Sequence, residues 1–187
     1  GPNGSGKTTT LRLLAGLISP DAGTMTLFGQ PYTKNDRTRL YRVGSLIETP
    51  AFYPYMTGRD NLIVIAATGA PTPRSRVEEV LDIVELRGAA GRRAGKYSMG
   101  MRQRLGLAAT LLGDPQVLVL DEPANGLDPQ GIRWLRDFLR SIAAEGRTVL
   151  VSSHVLAEVA QTVDDVVVIH RGRMVRQGTM SELTTGG

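Results

Sequence analysis

Apolar residues recur along this chain with two different periods, and the switch between them sorts its segments into strands and helices. Residues 117–121, Val-Leu-Val-Leu-Asp, are a continuous apolar run of buried-strand type. Segments 148–152 and 166–170 read the same way, 24–28 alternates, and 43–47 and 174–177 read as short strands. Helical spacing governs 8–17, 58–68, 74–86, 99–112, 129–144 and 155–163, with a short helix expected at 37–41. In 74–86 it puts Val77, Val80, Leu81 and Val84 on one face, and Pro129 suits the first turn of its helix. The breaks carry turn chemistry: Ile18-Ser19-Pro20-Asp21-Ala22-Gly23, Gly29-Gln30-Pro31, Gly69-Ala70-Pro71-Thr72-Pro73, a glycine-rich loop over 88–95, and Arg171-Gly172-Arg173.

Strands separated by helices imply an α/β fold with a mostly parallel sheet covered by helices on both faces. Residues 51–113 interrupt that alternation and read as an all-helical insert. The expected organisation is therefore a core in two parts, 1–50 and 114–187, with a helical subdomain over 51–113 between them. The length of 187 residues fits one such domain. With 41% hydrophobic and 21% charged residues the composition is that of a globular protein. The 5% aromatic content gives little support for base-stacking platforms. Absence of cysteine excludes disulfides and thiolate metal sites. No apolar run approaches the ~20 residues of a membrane-spanning helix, and no signal-peptide pattern is present.

Against this background two short stretches carry chemistry. The first is GPNGSGKT at 1–8, which fits the phosphate-cradling pattern G-x-x-x-x-G-K-[ST]. Gly4 and Gly6 admit backbone conformations closed to residues with a Cβ. The loop can then turn its N–H groups around a phosphate chain, Lys7 reaches the β- and γ-phosphates, and the Thr8 hydroxyl is placed for Mg²⁺. The helix that follows points its N-terminal dipole at the same anions. Such a loop normally follows a strand, and this sequence begins at the loop, so an N-terminally cut fragment is expected. The second stretch is VLVLDEP at 117–123, an apolar strand that ends in two carboxylates. The carboxyl edge of a parallel strand is where α/β folds place ligands. Asp121 can hold Mg²⁺ there and Glu122 can accept a proton from an attacking water. The same pair also suits a turn or a helix cap.

Other features leave alternatives open. His154, after a strand, reads as a cap or surface group unless a wider motif claims it, and His170 reads as structural. Phe52, Tyr53 and Tyr55, beside Pro54, form either a docking surface or packing beneath a loop. Net charge is 22 − 18 = +4, a solubility feature on its own. The run Arg87, Arg92, Arg93, Lys96, Arg102, Arg104, with no acid between Glu85 and Asp114, is either a solvated basic face or an attractor of phosphate.

Taken together and in order, these motifs resemble the nucleotide-binding domain of ABC transporters, a P-loop NTPase fold, across essentially the whole chain. GPNGSGKTT resembles the Walker A loop, which brings Gly1, Pro2, Asn3, Gly4, Ser5, Gly6, Lys7, Thr8 and Thr9 into the nucleotide site. Glu48 stands where the family has its Q-loop glutamine. YSMGMRQRLGLA at 97–108 is similar to the signature motif and its helix, VLVLDEP to Walker B with its catalytic glutamate, Asn125 to Asp128 to the D-loop, and Ser152 to His154 to the switch-histidine loop. The resemblance implies that two such domains sandwich two ATP molecules with Mg²⁺. Ser98 and the Gly100 amide then meet the partner's γ-phosphate, His154 contacts the γ-phosphate in its own chain, and Asp128 couples the sites. Glu122 and His154 are the implied catalytic residues, and Thr8, Glu48 and Asp121 the implied metal ligands. This sequence departs from the family pattern at Met99 and Met101, in place of glycine and glutamine, and at Glu48.

IETPAFYPYMTGRDNL together with YSMGMRQRLGLA resembles the ATPases of bacitracin- and lantibiotic-type exporters and immunity systems. That branch implies ATP hydrolysis coupled to export of a peptide antibiotic or similar amphiphile. It also implies a homodimer or paired ABC domains, and a separate membrane permease docking near 48–56 and the helical insert. No nucleic acid is expected, and the place implied is the cytoplasmic face of the plasma membrane. Competing readings are a non-transport ABC ATPase acting on nucleic acid or ribosomes, a nucleotide-gated regulatory module with little hydrolysis, and a small kinase or GTPase. The last lacks an N-K-x-D guanine-reading segment.

Overall fold

The computed structural model describes residues 4–48, 51–69, 71–155 and 162–185. Helix α1 (Lys7–Leu14) leads through a two-residue hairpin, β1 (Thr26–Leu27) and β2 (Gln30–Pro31), to a helical turn α2 (Arg37–Leu40) and strand β3 (Val43–Leu46). Three helices follow: α3 (Gly58–Thr68), α4 (Arg74–Ile83) and α5 (Met99–Leu111). Strand β4 (Val117–Asp121), helix α6 (Pro129–Ala144), strand β5 (Thr148–Ser152) and an antiparallel pair β6 (Asp165–His170) and β7 (Arg173–Thr179) complete the order, with a last helical segment at Met180–Thr185.

The centre is a parallel sheet in the order β3-β4-β5, with Leu46 opposite Leu120 and Asp121 opposite Ser152. Alternation along β4 puts Leu118 and Leu120 on one face. They join a continuous core with Leu105, Leu107 and Leu111 of α5, Val80 and Leu81 of α4, and Leu135 and Phe138 of α6. Helix α1 also packs against β4. At β3 the approach of α5 is so close that a Cβ on Gly44 would lie 2.3 Å from the Thr110 carbonyl oxygen. Only glycine lets the helix seat there.

The helices start where side chains can cap them. Thr57 accepts from the Asp60 N–H (3.0 Å), Ser98 from Met101 (3.2 Å) and Asp128 from Gly131 (2.8 Å). Helix α6 buries Leu135, Phe138, Leu139 and Ile142, one stripe at the 3, 4, 7 spacing. Helix α5 is buried nearly all round from Leu105 onward, as befits a core helix.

The chain departs from its sequence pattern where backbone conformation overrides spacing. The helix expected over 74–86 stops at Ile83, because Glu85 takes φ +58° and the Leu86 N–H turns back to the Leu81 carbonyl (2.8 Å). The strand expected at 24–28 is a two-residue arm of a hairpin whose turn places Phe28 and Gly29 at φ +54° and +72°. Segment 166–170 pairs antiparallel with β7, because Arg171 and Gly172 are both left-handed (φ +49° and +73°), the geometry of a tight hairpin turn. The helix expected over 155–163 falls mostly outside the described residues.

Candidate functional site

The phosphate-type loop is shaped by its glycines. Gly4 and Gly6 sit at φ +74° and +102°, left-handed conformations that favour glycine, and Gly6 is the N-cap of α1. The Thr10 N–H donates to the Gly6 carbonyl (3.0 Å), so Lys7 and Thr8 occupy the first turn, at the positive end of the helix dipole. The β6–β7 turn supports the loop from outside: the Gly172 N–H donates to the Ser5 carbonyl (2.8 Å), and a Cβ on Gly6 would come within 3.4 Å of Gly172 Cα. Ser5 is buried, while Thr9 faces outward and is exposed. Gly1, Pro2 and Asn3 lie outside the described residues.

The end of β4 meets this helix start. Thr8 Oγ1 donates to Asp121 Oδ2 (2.6 Å), and Ser152 Oγ, from the neighbouring strand, donates to Asp121 Oδ1. Both oxygens of that carboxylate are thus held by hydroxyls from separate elements. Glu122 takes φ +47°, an unfavourable backbone region for a residue with a side chain. Its N–H is held by the Ser152 carbonyl (3.2 Å) and the Ser152 hydroxyl (3.0 Å). The turn aims the carboxylate between two cationic or polar groups: Oε1 lies 3.7 Å from Lys7 Nζ, and Oε2 accepts from the His154 N–H (3.3 Å) and meets His154 Nδ1 at 2.8 Å. Facing an ionised carboxylate, Nδ1 is the nitrogen that donates. The Lys7 and Glu122 side chains are 13% and 18% exposed and His154 is 41% exposed, so the group opens to solvent on the histidine side.

Lys7, Thr8, Asp121, Glu122 and His154 therefore form one connected cluster. Glu48, expected among the metal ligands, is drawn elsewhere: its carboxylate pairs with Arg12, one helical turn beyond Thr8, while its own backbone sits at φ +69°. Arg12 is the nearer charge for a largely exposed carboxylate. Ser98 and Asp128 commit their side-chain oxygens to the starts of α5 and α6, and Gly100 lies in the first turn of α5 beside Leu127. Ser152 appeared in the sequence only as the first residue of the switch-histidine motif, with no role of its own; register between the strands puts it opposite Asp121.

The donor set fits Mg²⁺. A hydroxyl and a carboxylate 2.6 Å apart are hard oxygen donors. Among the described residues no group of three or more His, Cys, Asp or Glu forms a metal cage.

The basic run divides. Arg87 pairs with Asp82 and Glu78, and Arg104 with Glu85 (2.6 Å) while its guanidinium lies 3.9 Å over the Trp134 ring. Those charges tie helices together. The aromatic loop divides as well: Phe52 packs against the core, while Tyr53 and Tyr55 are 50% and 67% exposed with ring centroids 5.8 Å apart. Buried Asn61 fixes that loop, accepting from the Tyr53 N–H (2.8 Å) and donating to the Tyr53 carbonyl (3.1 Å). Beside it a groove of about 530 Å³ is lined by Leu46, Phe52, Ile65, Ala66, Ala109 and Thr110, among others.

A phosphate-type loop opening a helix, beside two carboxylates at the end of a parallel strand, defines a phosphate-loop NTPase. The ABC transporter family model matches residues 1–125, and the chain belongs to that family. It is 45% identical, over 95% of its length and 58% of the relative's, to the bacitracin transport ATP-binding protein BcrA of Bacillus licheniformis. It is 44% identical, over 98% and 60%, to BcrA of Enterococcus faecalis. The chain thus spans about three-fifths of the length of these relatives. The solved structure of an ATP binding subunit of an ABC transporter superposes with a TM-score of 0.84 at 27% identity, covering 98% of this chain and 78% of that one.

Proposed function

We propose that this protein is the ATP-binding and ATP-hydrolysing subunit of an ABC transporter that exports a peptide antibiotic or similar amphiphile. The observation that carries the reading is the convergence of Lys7 and His154 on Glu122 beside the Thr8–Asp121 pair. The division into a phosphate-loop core, 1–50 and 114–187, and a helical subdomain, 51–113, belongs to the same proposal.

In this mechanism the loop N–H groups and Lys7 bind the phosphate chain. Thr8 and Asp121 would hold Mg²⁺, which would supply charge to offset that developing on the phosphates. Glu122 takes the proton of the attacking water, and its bond to His154 Nδ1 fixes the carboxylate's direction while the imidazole contacts the γ-phosphate. Phosphoryl transfer depends mainly on positioning and charge neutralisation, and one chain supplies only part of that. Ser98 and the Gly100 amide complete the site from a second copy, with Asp128 coupling the two sites.

The partner in the membrane is a separate permease, docked in the groove beside the exposed Tyr53 and Tyr55. This makes the protein peripheral at the cytoplasmic face of the membrane; none of the described helices is long and apolar enough to cross one. Export of a peptide antibiotic is supported by the bacitracin transport relatives. Vesicles carrying the native protein and its permease should move bacitracin only with ATP. Equal movement without ATP, or none with it, would refute the proposal.

A further inference from the structure

The helix headed by Ser98 and Gly100 is also tied, inside the same chain, to the segment that carries Glu122. Gln103 Nε2 donates to the Pro123 carbonyl at 2.9 Å. Pro123 is buried and has no N–H, so this carbonyl is its one backbone hydrogen-bonding group, and a buried one needs a partner. Around it the same helix makes further contacts with residues 123–134. Met99 lies on Gly126, where a Cβ would fall 2.0 Å from its Sδ. A Cβ on Gly100 would meet Leu127 Cδ2 at 3.8 Å, and the Arg104 guanidinium covers Trp134 at 3.9 Å. Residues 99, 100, 103 and 104 lie one helical turn apart and share a face. That face is laid along the segment immediately after Glu122.

We infer that Gln103 is a positioning residue that fixes the setting of Glu122 to that of the helix presenting Ser98 and Gly100. The inference rests on the functional reading above, in which Glu122 serves one nucleotide and Ser98 and Gly100 serve another. Glu122 sits in a left-handed turn held on its N-terminal side by Ser152. On its C-terminal side the Asn125 N–H holds the Glu122 carbonyl (3.1 Å), and Gln103 holds the next carbonyl along. A shift of the helix is thereby passed to the carboxylate through one hydrogen bond. Met99, a departure from the family pattern, takes its place as the second contact of this bridge.

The test uses the native protein, with Trp134, the single tryptophan of this sequence, as the reporter and any tryptophan outside it replaced by phenylalanine. Gln103→Met removes the donor at similar length, Gln103→Glu turns it into an acceptor, and Gln103→Lys keeps a donor. The expected result is a kcat lower by about tenfold in the Met and Glu variants, as loss of one positioning hydrogen bond implies, with the ATP dissociation constant unchanged. The Lys variant should stay within about threefold of the parent. The change in Trp134 fluorescence on adding a non-hydrolysable ATP analogue should shrink by more than half in the Met and Glu variants, because the signal reaches α5 through Gln103. Unchanged kcat and an unchanged fluorescence response in those variants would overturn the inference. So would a loss of ATP binding that parallels the loss of kcat, or a Lys variant as impaired as the Met variant. Failure of the parent protein to bind ATP would instead sink the functional reading. A parent that binds without hydrolysing still reads out the bridge through Trp134.

Discussion

Ser152→Ala is the perturbation that most directly tests the architecture of the carboxylate pair. The hydroxyl has two jobs in the structure: it donates to Asp121 Oδ1, and it accepts from the Glu122 N–H at 3.0 Å. The site is 7% exposed, so water cannot readily replace it. A hydrogen bond to a charged group is worth about 1.5–3 kcal/mol and a neutral one about 1 kcal/mol. The Glu122 N–H keeps the Ser152 carbonyl at 3.2 Å, so the second loss is partial. The sum is about 2–3 kcal/mol, split between the stability of the fold and the setting of Glu122. Left-handed backbone at Glu122 costs about 1–3 kcal/mol by itself, so relaxing its restraint lets the turn populate other conformations. The expected outcome is a loss of about 1 kcal/mol in urea unfolding, on the order of one neutral hydrogen bond, and a kcat lower by about tenfold, which corresponds to about 1.4 kcal/mol. Ser152→Thr, which keeps the hydroxyl, should recover most of both. Steady-state ATP turnover and equilibrium unfolding on the three proteins decide it. Parental kcat and parental stability in Ser152→Ala would refute the reasoning.

Glu122→Gln should lower kcat by at least ~10²-fold as general-base loss while raising affinity for nucleotide, since Lys7 no longer shares its charge with a carboxylate 3.7 Å away; turnover and equilibrium binding measure the two effects. Gly44→Ala should destabilise the fold by about 1–3 kcal/mol or more, because the new Cβ meets a backbone carbonyl oxygen at 2.3 Å that cannot swing aside; a urea midpoint equal to the parent's would contradict the close β3–α5 contact. The Glu78 carboxyl is held below the usual carboxylate range chiefly by its hydrogen bond from the Arg59 guanidinium, Nε to Oε1 at 2.5 Å. A depressed folded-state value means that the pair's contribution is present above the unfolded pKa of about 4.3 and is lost as pH falls through the folded value. The stability gap between the parent and Glu78→Gln, under about 1 kcal/mol for so exposed a pair, should be visible at pH 7 and shrink as the pH falls below about 4.3.

How much of this was legible in the sequence depends on how far apart the interacting groups lie along the chain. Strand β4 and helix α6 match their expected bounds because each signal is local: an unbroken apolar run in one, and a cap at Asp128 with Pro129 and a regular stripe in the other. The described part of the phosphate-type loop, from Gly4 to Thr8, was equally legible, since its turn and helix start are written in consecutive residues. The hairpin at Phe28–Gly29 was not, because one of its two left-handed positions is a phenylalanine, a residue that gives no warning of positive φ.

The site itself divides along the same line. Asp121 and Glu122 announce themselves as adjacent carboxylates, but what makes them different from each other is set by groups far away in the chain. Thr8 and Ser152 hold one, and Lys7 and His154 hold the other, and these contacts span between 31 and 115 positions. Register between β4 and β5 brings Ser152 opposite Asp121, and no pattern within either strand encodes that register. Glu48 shows the converse. Its place in the motif order suggested a metal ligand, yet a competing cation four residues past Thr8 captures it. The fate of an exposed carboxylate follows the nearest positive charge in space, which a linear motif does not specify. Gln103 belongs with Ser152, since both are uncharged donors whose acceptor lies on another element. The groups proposed to act on phosphate are thus spelled out in motifs, whereas the neutral groups that set their geometry take their places only when strand register and helix packing are known.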